Sequence, residues 1–124
     1  MATMTSRDTR TMIAGGDLSA NQFHFVTQAA DGQIDVTGDG LRADGVLLND
    51  PDAAGKAATV VVSGNVMVKA GGDVTVGANV ASDATGRAVV AVADDIVMGY
   101  ARSAGAANEI VTIELIQGGN AEPA

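Results

Sequence analysis

Apolar and polar residues alternate through the middle of the chain, and glycines interrupt the alternation. In Thr59–Val76, β-branched residues alternate with small or polar ones, with breaks at Gly64-Asn65 and at Gly71-Gly72-Asp73. A period of two between glycine-rich breaks is typical of short antiparallel strands joined by tight turns. We therefore expect the fold to be organised around a β core over Gly45–Val92, with Thr59–Val76 at its centre.

Similar short segments precede and follow the centre of this core. Predicted strands lie at Asn21–Gln28, Gln33–Thr37, Gly45–Leu48, Asn79–Ser82, Arg87–Ala93, Ile96–Ala101 and Glu109–Gln117. Turn-forming residues separate them, and only Ala101–Ala107 favours a helical turn, which Gly105 limits to a few residues. About eight to ten short strands at such spacings predict an all-β fold, either a small antiparallel β-barrel or a β-sandwich.

The predicted core is almost entirely aliphatic. Hydrophobic residues make up 47% of the chain of 124 residues, but aromatic residues make up only 2%. We expect Phe23 and Phe25 to be buried from one strand, and Val111, Ile113 and Leu115 to face the core from the last strand. Such a thin core suits a narrow barrel or sandwich better than a deep ligand cavity, and association of subunits would stabilise it.

The length of the chain indicates one domain. We predict a single β domain over residues 12–117, a flexible N-terminal arm over residues 1–11 and a flexible C-terminal tail over residues 118–124. The arm is polar and has no apolar period, so it is expected to be disordered in a free subunit. Alternatively, the arm becomes ordered on a partner, where Arg7 and Arg10 pair with carboxylates.

Charge and residue types argue against several classes of partner. The net charge is −8, and the seven basic residues are scattered along the chain, so no positive stripe favours nucleic-acid binding. The chain has no cysteine, which excludes disulfides and thiolate metal sites. No signal-peptide pattern and no apolar run of membrane-spanning length is present, so we expect cytoplasmic synthesis and no membrane contact.

No arrangement of residues predicts catalysis, a cofactor or a metal site. His24 is the only histidine and lies beside two phenylalanines, so we expect it to have a structural or surface role. Asp94 and Asp95 are adjacent and would point to opposite faces of a strand, so they cannot share a proton. Calcium-loop and phosphate-loop patterns are absent. We therefore expect a protein that is not an enzyme and has neither a cofactor nor a small-molecule substrate.

The strand–turn–strand segment Gly64–Ala78 is similar to the hairpin of biotinyl and lipoyl carrier domains. Such carriers hold an acceptor lysine alone at the tip of the hairpin. Lys69 instead belongs to the strand that precedes the Gly71-Gly72 turn, and Lys56 follows a glycine in a loop. Because neither lysine is at the acceptor position, carrier function is not expected.

A more extensive similarity covers the chain from Asp17 to Leu115. It rests on the segments Asp17–Phe23, Asp44–Pro51 (with the pattern G-V-L-x-N-x-P), Gly64–Gly72, Ile96–Ala101 and Glu109–Ile113. The order, spacing and turn residues of these segments resemble those of the small capsid cement (head decoration) proteins of tailed bacteriophages. The N-terminal arm Met1–Arg10 carries no motif of that family.

The resemblance implies a virion structural protein that decorates the outside of an icosahedral phage head as a homotrimer. It would stabilise the lattice by bridging subunits of its partner, the major capsid protein, and no catalytic or cofactor residue is implied. Such a protein is made in the host bacterial cytoplasm and ends on the outer capsid surface. On this interpretation, Thr5, Ser6, Arg7 and Arg10 are the candidate capsid contacts.

The alternative is a surface-exposed binding module, such as a carbohydrate- or receptor-binding head fibre or an adhesin fragment. Sugar sites usually use exposed aromatic side chains, and Tyr100 is the only aromatic residue outside the predicted core pair. Its position beside Gly99 in an apolar segment favours burial in the core or in an interface. Decoration of a phage head is therefore the preferred interpretation.

Overall fold

The computed structural model describes residues 7–30 and 32–116, and all regular elements in these ranges are β-strands. The nine strands are β1 (Arg7–Ala14), β2 (Phe25–Ala30), β3 (Gln33–Val36), β4 (Gly45–Leu47), β5 (Ala57–Lys69), β6 (Asn79–Ser82), β7 (Ala88–Val90), β8 (Gly99–Ala101) and β9 (Ile110–Leu115). Their pairings join them into one sheet. The predicted all-β class is confirmed.

The sheet contains a closed circuit of strands. Its order is β1-β3-β2-β4-β5-β9-β8-β6-β7, and β1 pairs in addition with β5. The strands β1, β3, β2, β4 and β5 therefore return on themselves, while β9, β8, β6 and β7 continue from β5. Among these strands only β1 and β3 pair in parallel. The closure covers strand edges that would otherwise be open to pairing with other chains.

Buried side chains form two hydrophobic clusters. The smaller cluster comes from the circuit strands and the loop after β1, and it contains Ala14, Leu18, Val26, Ile34, Leu47, Ala58 and Val60. The larger cluster contains Phe25, Ala43, Val46, Val61, Val66, Val68, Ala70, Val74, Val80, Ala88, Met98, Ala101, Val111, Ile113 and Leu115. Phe25 is the one aromatic member of either cluster, so the core is aliphatic. Val111, Ile113 and Leu115 belong to the larger cluster, which confirms the inward face predicted for β9.

The break expected at Gly64-Asn65 is not a chain reversal. Strand β5 runs without interruption over Ala57–Lys69, and Gly64 lies opposite both Arg7 of β1 and Leu115 of β9. Gly64 has a φ angle of 98°, a conformation that glycine adopts without the steric cost of a Cβ. The glycine therefore redirects the strand instead of ending it, whereas the break predicted at Gly71-Gly72 does follow the end of β5.

The two faces of β5 change clusters at Gly64. On the N-terminal side, the even-numbered residues Ala58 and Val60 belong to the smaller cluster. On the C-terminal side, the even-numbered residues Val66 and Val68 belong to the larger cluster. Side chains of a regular strand alternate strictly between faces, so the exchange requires an irregular backbone between Val62 and Val66, where the register with β1 shifts and Gly64 has a positive φ angle. Because Val61 also belongs to the larger cluster, β5 supplies both clusters before Gly64 and the larger cluster after it.

Strand β2 begins at Phe25, later than predicted, because the residues before it form a turn. The His24 N–H donates to the Asn21 carbonyl oxygen in that turn. Phe23 has a φ angle of 65° and is half-buried, so the prediction that it shares the core with Phe25 is wrong. Its backbone N–H instead donates to the Leu47 carbonyl oxygen at 2.7 Å, which attaches the turn to β4.

The helical turn predicted over Ala101–Ala107 is wrong, since the described ranges contain no helix. Gly105 forms an isolated antiparallel bridge with Val74. The Val74 N–H donates to Gly105 O at 2.8 Å, and the Gly105 N–H donates to Val74 O at 3.0 Å. These two bonds use backbone groups that a helical turn would need. Local residue preferences cannot predict a bridge to a residue so distant in the sequence.

Strand β1 begins inside the segment predicted to be a flexible arm. Its pairing with β5 runs from Arg7 opposite Gly64 to Ile13 opposite Ala57. The boundary predicted at residue 12 is thereby corrected, because the domain includes residues 7–11. Residues 8–11 are exposed and show no apolar period, since backbone hydrogen bonds rather than buried side chains hold this part of the strand. Residues 1–6 and the predicted tail 118–124 lie outside the described residues.

Gly86 lies where the β6–β7 turn contacts the circuit. Its φ angle is +79°, its carbonyl oxygen accepts a hydrogen bond from the Phe25 N–H at 2.6 Å, and a Cβ would lie 2.6 Å from Phe25 O. Gly77 has a similar φ angle of +85°, but no atom lies within 4 Å of its Cβ position. A Cβ at either glycine would strain the backbone, but only a Cβ at Gly86 would also meet neighbouring atoms.

We expect Gly86→Ala to lower the free energy of unfolding by about 2–5 kcal/mol, the sum of left-handed strain and overpacking. The matched control Gly77→Ala should cost only the strain, about 1–2 kcal/mol. Urea unfolding of both variants measures the difference. Equal losses would contradict the steric role of the contact with Phe25.

His24 is buried beside Gly86. It is 5% exposed, and its Nδ1 lies 3.1 Å from the Gln22 carbonyl oxygen. Burial lowers the pKa of His24; the contact with Gln22 and the charge of Asp83 oppose this effect, and the positive charges of Lys69 and Arg87 add to it. The folded protein therefore favours the neutral imidazole. The His24 side chain is part of the buried structure rather than of the surface.

Because folding disfavours protonated His24, its contribution to stability is complete above the ordinary pKa of 6.5 and declines as the pH falls below that value. We expect the free energy of unfolding to fall between about pH 7.5 and about pH 5.5, and to fall less in His24→Gln. Urea unfolding of both proteins at the two pH values measures this. An identical pH dependence in the variant would assign the effect to other groups.

Candidate functional site

The structure describes part of the predicted contact segment. Thr5 and Ser6 lie outside the described residues, and of Arg7 only the backbone is described. Arg10 lies in β1, opposite Val60 of β5, and its side chain is exposed. Arg10 is therefore the predicted contact residue whose side chain the structure describes.

Arg10 lines a groove at the surface of the circuit. The groove has a volume of about 250 Å³ and is lined by Arg10, Met12, Gln28, Arg42, Asp44 and Val62. These residues come from β1, β2, β5 and the connection between β3 and β4. This feature is the rim groove.

The floor of the rim groove is apolar. Met12 and Val62 are half-buried, and both pack against the smaller cluster. The pairing of β1 with β5 shifts register here, since Asp8 lies opposite Ser63 while Thr9 lies opposite Val61. The β-bulge gives β5 one more residue than β1 at this point, and that residue is Val62. The irregular pairing of β1 with β5 thus places an aliphatic side chain in the groove.

Hydrogen bonds hold one side of the rim in place. Asp44 Oδ2 accepts from the Gln28 N–H at 2.6 Å and from Thr27 Oγ1 at 3.4 Å. Thr27 Oγ1 also lies 3.3 Å from the Arg42 carbonyl oxygen, to which it donates. These contacts attach the connection between β3 and β4 to β2. The backbone that carries Arg42 and Asp44 is therefore positioned by the sheet.

Among the described residues, the two arginines of the groove and Lys69 have no ion pair, whereas three other cations do. Lys56 pairs with Asp52, Arg87 with Asp83 and Arg102 with Glu114. In the part of the chain that the structure describes, no hydrogen bond or ion pair involves the guanidinium group of Arg10 or of Arg42. Both side chains are exposed. Two arginines that have no hydrogen-bond or ion-pair partner among the described residues therefore share one groove.

Tyr100 lies in a polar row that crosses four strands. Asn79, Tyr100, Glu114 and Asn65 are directly opposite one another in β6, β8, β9 and β5. Asn65 Nδ2 donates to Glu114 Oε1 at 2.8 Å; Arg102 donates to the same oxygen at 3.1 Å, and its guanidinium carbon lies 5.4 Å from the Tyr100 ring centroid. Tyr100 is half-buried and belongs to neither cluster, so the burial in the core that its apolar neighbours favoured is not observed.

Other candidate chemistry forms no site in residues 7–30 and 32–116. No group of three or more His, Cys, Asp or Glu side chains there is arranged to hold a metal ion. Asp95 Oδ2 accepts from the Val92 N–H at 3.0 Å, and Asp94 has a φ angle of 74°, so both belong to a turn. No helix in those ranges is long and apolar enough to cross a membrane.

The sequence indicated Arg10 but not the other residues of the rim groove. No local pattern connects Arg10 with Arg42 and Asp44, because only the closed circuit brings β1 beside the connection between β3 and β4. The one available signal was the Asp44-Gly45 pair at the start of a predicted strand, where an aspartate commonly accepts backbone hydrogen bonds. The polar row around Tyr100 was missed for the same reason.

Comparison with known proteins gives one family. A sequence profile described as phage cement protein matches residues 4–115. The structure is similar to the head fiber gp8.5 N base in bacteriophage phi29, with 23% sequence identity, a TM-score of 0.70, and coverage of 94% of this chain and 100% of that chain. This likeness shows a shared fold. No curated protein matches the chain.

Proposed function

The chain belongs to the phage cement protein family, and from that membership we propose that it decorates the outside of an icosahedral head and bridges major capsid protein subunits. The observation that carries the proposal is the family match over residues 4–115, a range that contains the nine strands of the described residues. The family also makes the protein a capsid-associated component of the virion. The bridging, the outer surface and the identity of the capsid partner belong to the proposal.

A homotrimer is part of the proposal, and the composition of the surface supports subunit contacts. Large aliphatic side chains remain exposed at Ile13, Leu41, Met67, Val76, Val90, Val92, Ile110 and Ile116. Burial of a share of this surface between subunits would stabilise a domain whose aliphatic core has one aromatic side chain. The closed circuit supports a small barrel as the unit that trimerises.

Avidity is the proposed mechanism of stabilisation. Each subunit of a trimer supplies a modest contact, and once the first contact has formed the others become intramolecular. Selective binding to the assembled lattice stabilises that lattice by mass action, by about 2.7 kcal/mol per site at a concentration one hundred times the Kd. This role requires no catalysis, cofactor, nucleic acid, membrane or small-molecule substrate, and it suits a protein made in the host bacterial cytoplasm.

A carbohydrate- or receptor-binding module is the second candidate. The observation that favours it is the polar row around Tyr100, in which an aromatic ring lies beside the Asn79 and Glu114 side chains on the sheet surface. Arg102 lies over that ring, so a sugar would have to use the other face or displace the guanidinium. A glycan array probed with purified protein distinguishes this candidate from decoration.

We expect the purified protein to be a trimer by light scattering and to co-sediment saturably with heads assembled without it. Decorated heads should resist heating better than undecorated heads, because binding selects the assembled lattice. Differential scanning calorimetry of the heads measures this. A monomer that remains in the supernatant at saturating concentration would contradict the proposal.

Deletion of residues 1–6 tests the arm without disturbing β1, which begins at Arg7. If Thr5 and Ser6 contact the capsid, the deletion should weaken head binding about tenfold, equivalent to about 1.4 kcal/mol. The trimer and its unfolding transition should be unchanged. Head occupancy equal to that of the full chain would remove the arm from the contact.

A further inference from the structure

We propose that the rim groove binds an acidic, aliphatic segment of the capsid partner. A carboxylate of that segment would lie between Arg10 and Arg42, and an adjacent aliphatic side chain would contact Met12 and Val62. The inference rests on the proposed function and adds the place and the chemistry of the contact.

Charge is the first argument. The chain has a net charge of −8, with fifteen acidic and seven basic residues, so a cation without an intramolecular partner is the less expected arrangement. Within residues 7–30 and 32–116, Arg10 and Arg42 are two cations without an ion pair, and both line one groove. Guanidinium groups bind carboxylates through paired hydrogen bonds, and a partly desolvated setting strengthens such bonds.

The apolar floor is the second argument. Met12 and Val62 are half-buried beneath the arginines, so the rim groove offers aliphatic contact as well as charge. Methionine adapts its shape to a bound side chain. The groove volume of about 250 Å³ is below the range of about 300–1,000 Å³ usual for small-molecule pockets. It suits one or two side chains of a peptide segment better than a free ligand.

Asp44 is the third argument, because it gives the rim groove a direction. Its carboxylate is held by the Gln28 N–H and Thr27 Oγ1, so it remains at one side of the groove. Two guanidinium groups and one carboxylate leave the groove with a net positive charge. A bound carboxylate is attracted to the arginines and repelled from Asp44, which selects one orientation of the segment.

The test compares charge reversal inside and outside the rim groove. Arg42→Glu reverses a groove charge, and Lys56→Glu makes the same charge change at a residue outside the groove lining, directly before β5 begins at Ala57. Lys56 is exposed, and its ion pair with Asp52 lies on the surface. The probe is undecorated heads, with affinity measured by co-sedimentation at two salt concentrations.

We expect Arg42→Glu and Arg10→Glu each to weaken head binding at least about tenfold, with Lys56→Glu within about twofold of the unmodified chain. The affinity of Arg42→Lys for heads should lie between those of the unmodified chain and Arg42→Glu, because a lysine keeps the charge but lacks the planar pair of donors. The salt dependence of binding should be smaller in Arg42→Gln than in the unmodified chain. Met12→Ala should weaken binding without changing that salt dependence.

Several results would overturn the inference. If the unmodified chain binds heads and the groove variants bind equally well, the rim groove is not the contact; if Lys56→Glu is as weak as Arg42→Glu, the effect is overall charge. If Arg42→Glu dissociates the trimer by light scattering, the groove binds a second copy of this chain instead. Failure of the unmodified chain to bind any heads contradicts the proposed function instead. Arg42→Gln and Arg42→Lys serve if the reversal variants do not fold.

Discussion

The structure depends on the continuity of β5 through Gly64. A single strand pairs with β1 along its first half and with β9 along its second half, and Gly64 lies opposite a residue of each. If the chain reversed at this glycine, β5 could not belong both to the closed circuit and to the row of strands β9, β8, β6 and β7 that continues from it. The positive φ angle lets the backbone change direction while its ladder of pairs continues on both sides.

Backbone hydrogen bonds supplement a core with little aromatic content. Phe25 is the one aromatic side chain in either cluster, and it comes from the circuit but packs in the larger cluster. Around it, the Phe25 N–H donates to Gly86 O, and the Lys69 N–H donates to Phe23 O. Gly40 adds a second connection, because its N–H donates to Ser82 O and its carbonyl accepts from Ile96. Loops as well as strands thus hold the two parts together.

The same closure that completes the fold assembles the rim groove. Arg10 is far in sequence from Arg42 and Asp44, and the closed circuit brings β1 beside the connection between β3 and β4 that carries them. A family whose members attach to capsids needs a stable scaffold that presents recognition groups at its surface. The apolar floor of the groove packs against the smaller cluster, so the arginines lie beside residues that core packing holds in place.

Sequence alone determined the fold class, the aliphatic character of the core and the family. Strict alternation with glycine breaks is a local property, so the inward face of β9 and most strand positions followed directly from it. The ordered segments from Asp17 to Leu115 were sufficient to identify a cement-like protein. Phe23, the segment after Ala101 and the start of β1 were misjudged, because a positive φ angle, an isolated bridge and backbone pairing respectively replaced the local preference there.

Tertiary structure decided which residues share a surface. The sequence could propose Arg10 as a contact, but Arg42, Asp44 and Val62 joined it only through the closed circuit and the β-bulge. The sequence could also not show that Gly64 continues a strand, since a glycine followed by an asparagine is a turn signal by local rules. Pairing with two distant strands outweighs that signal, because the backbone hydrogen bonds of both ladders are satisfied only if β5 remains extended.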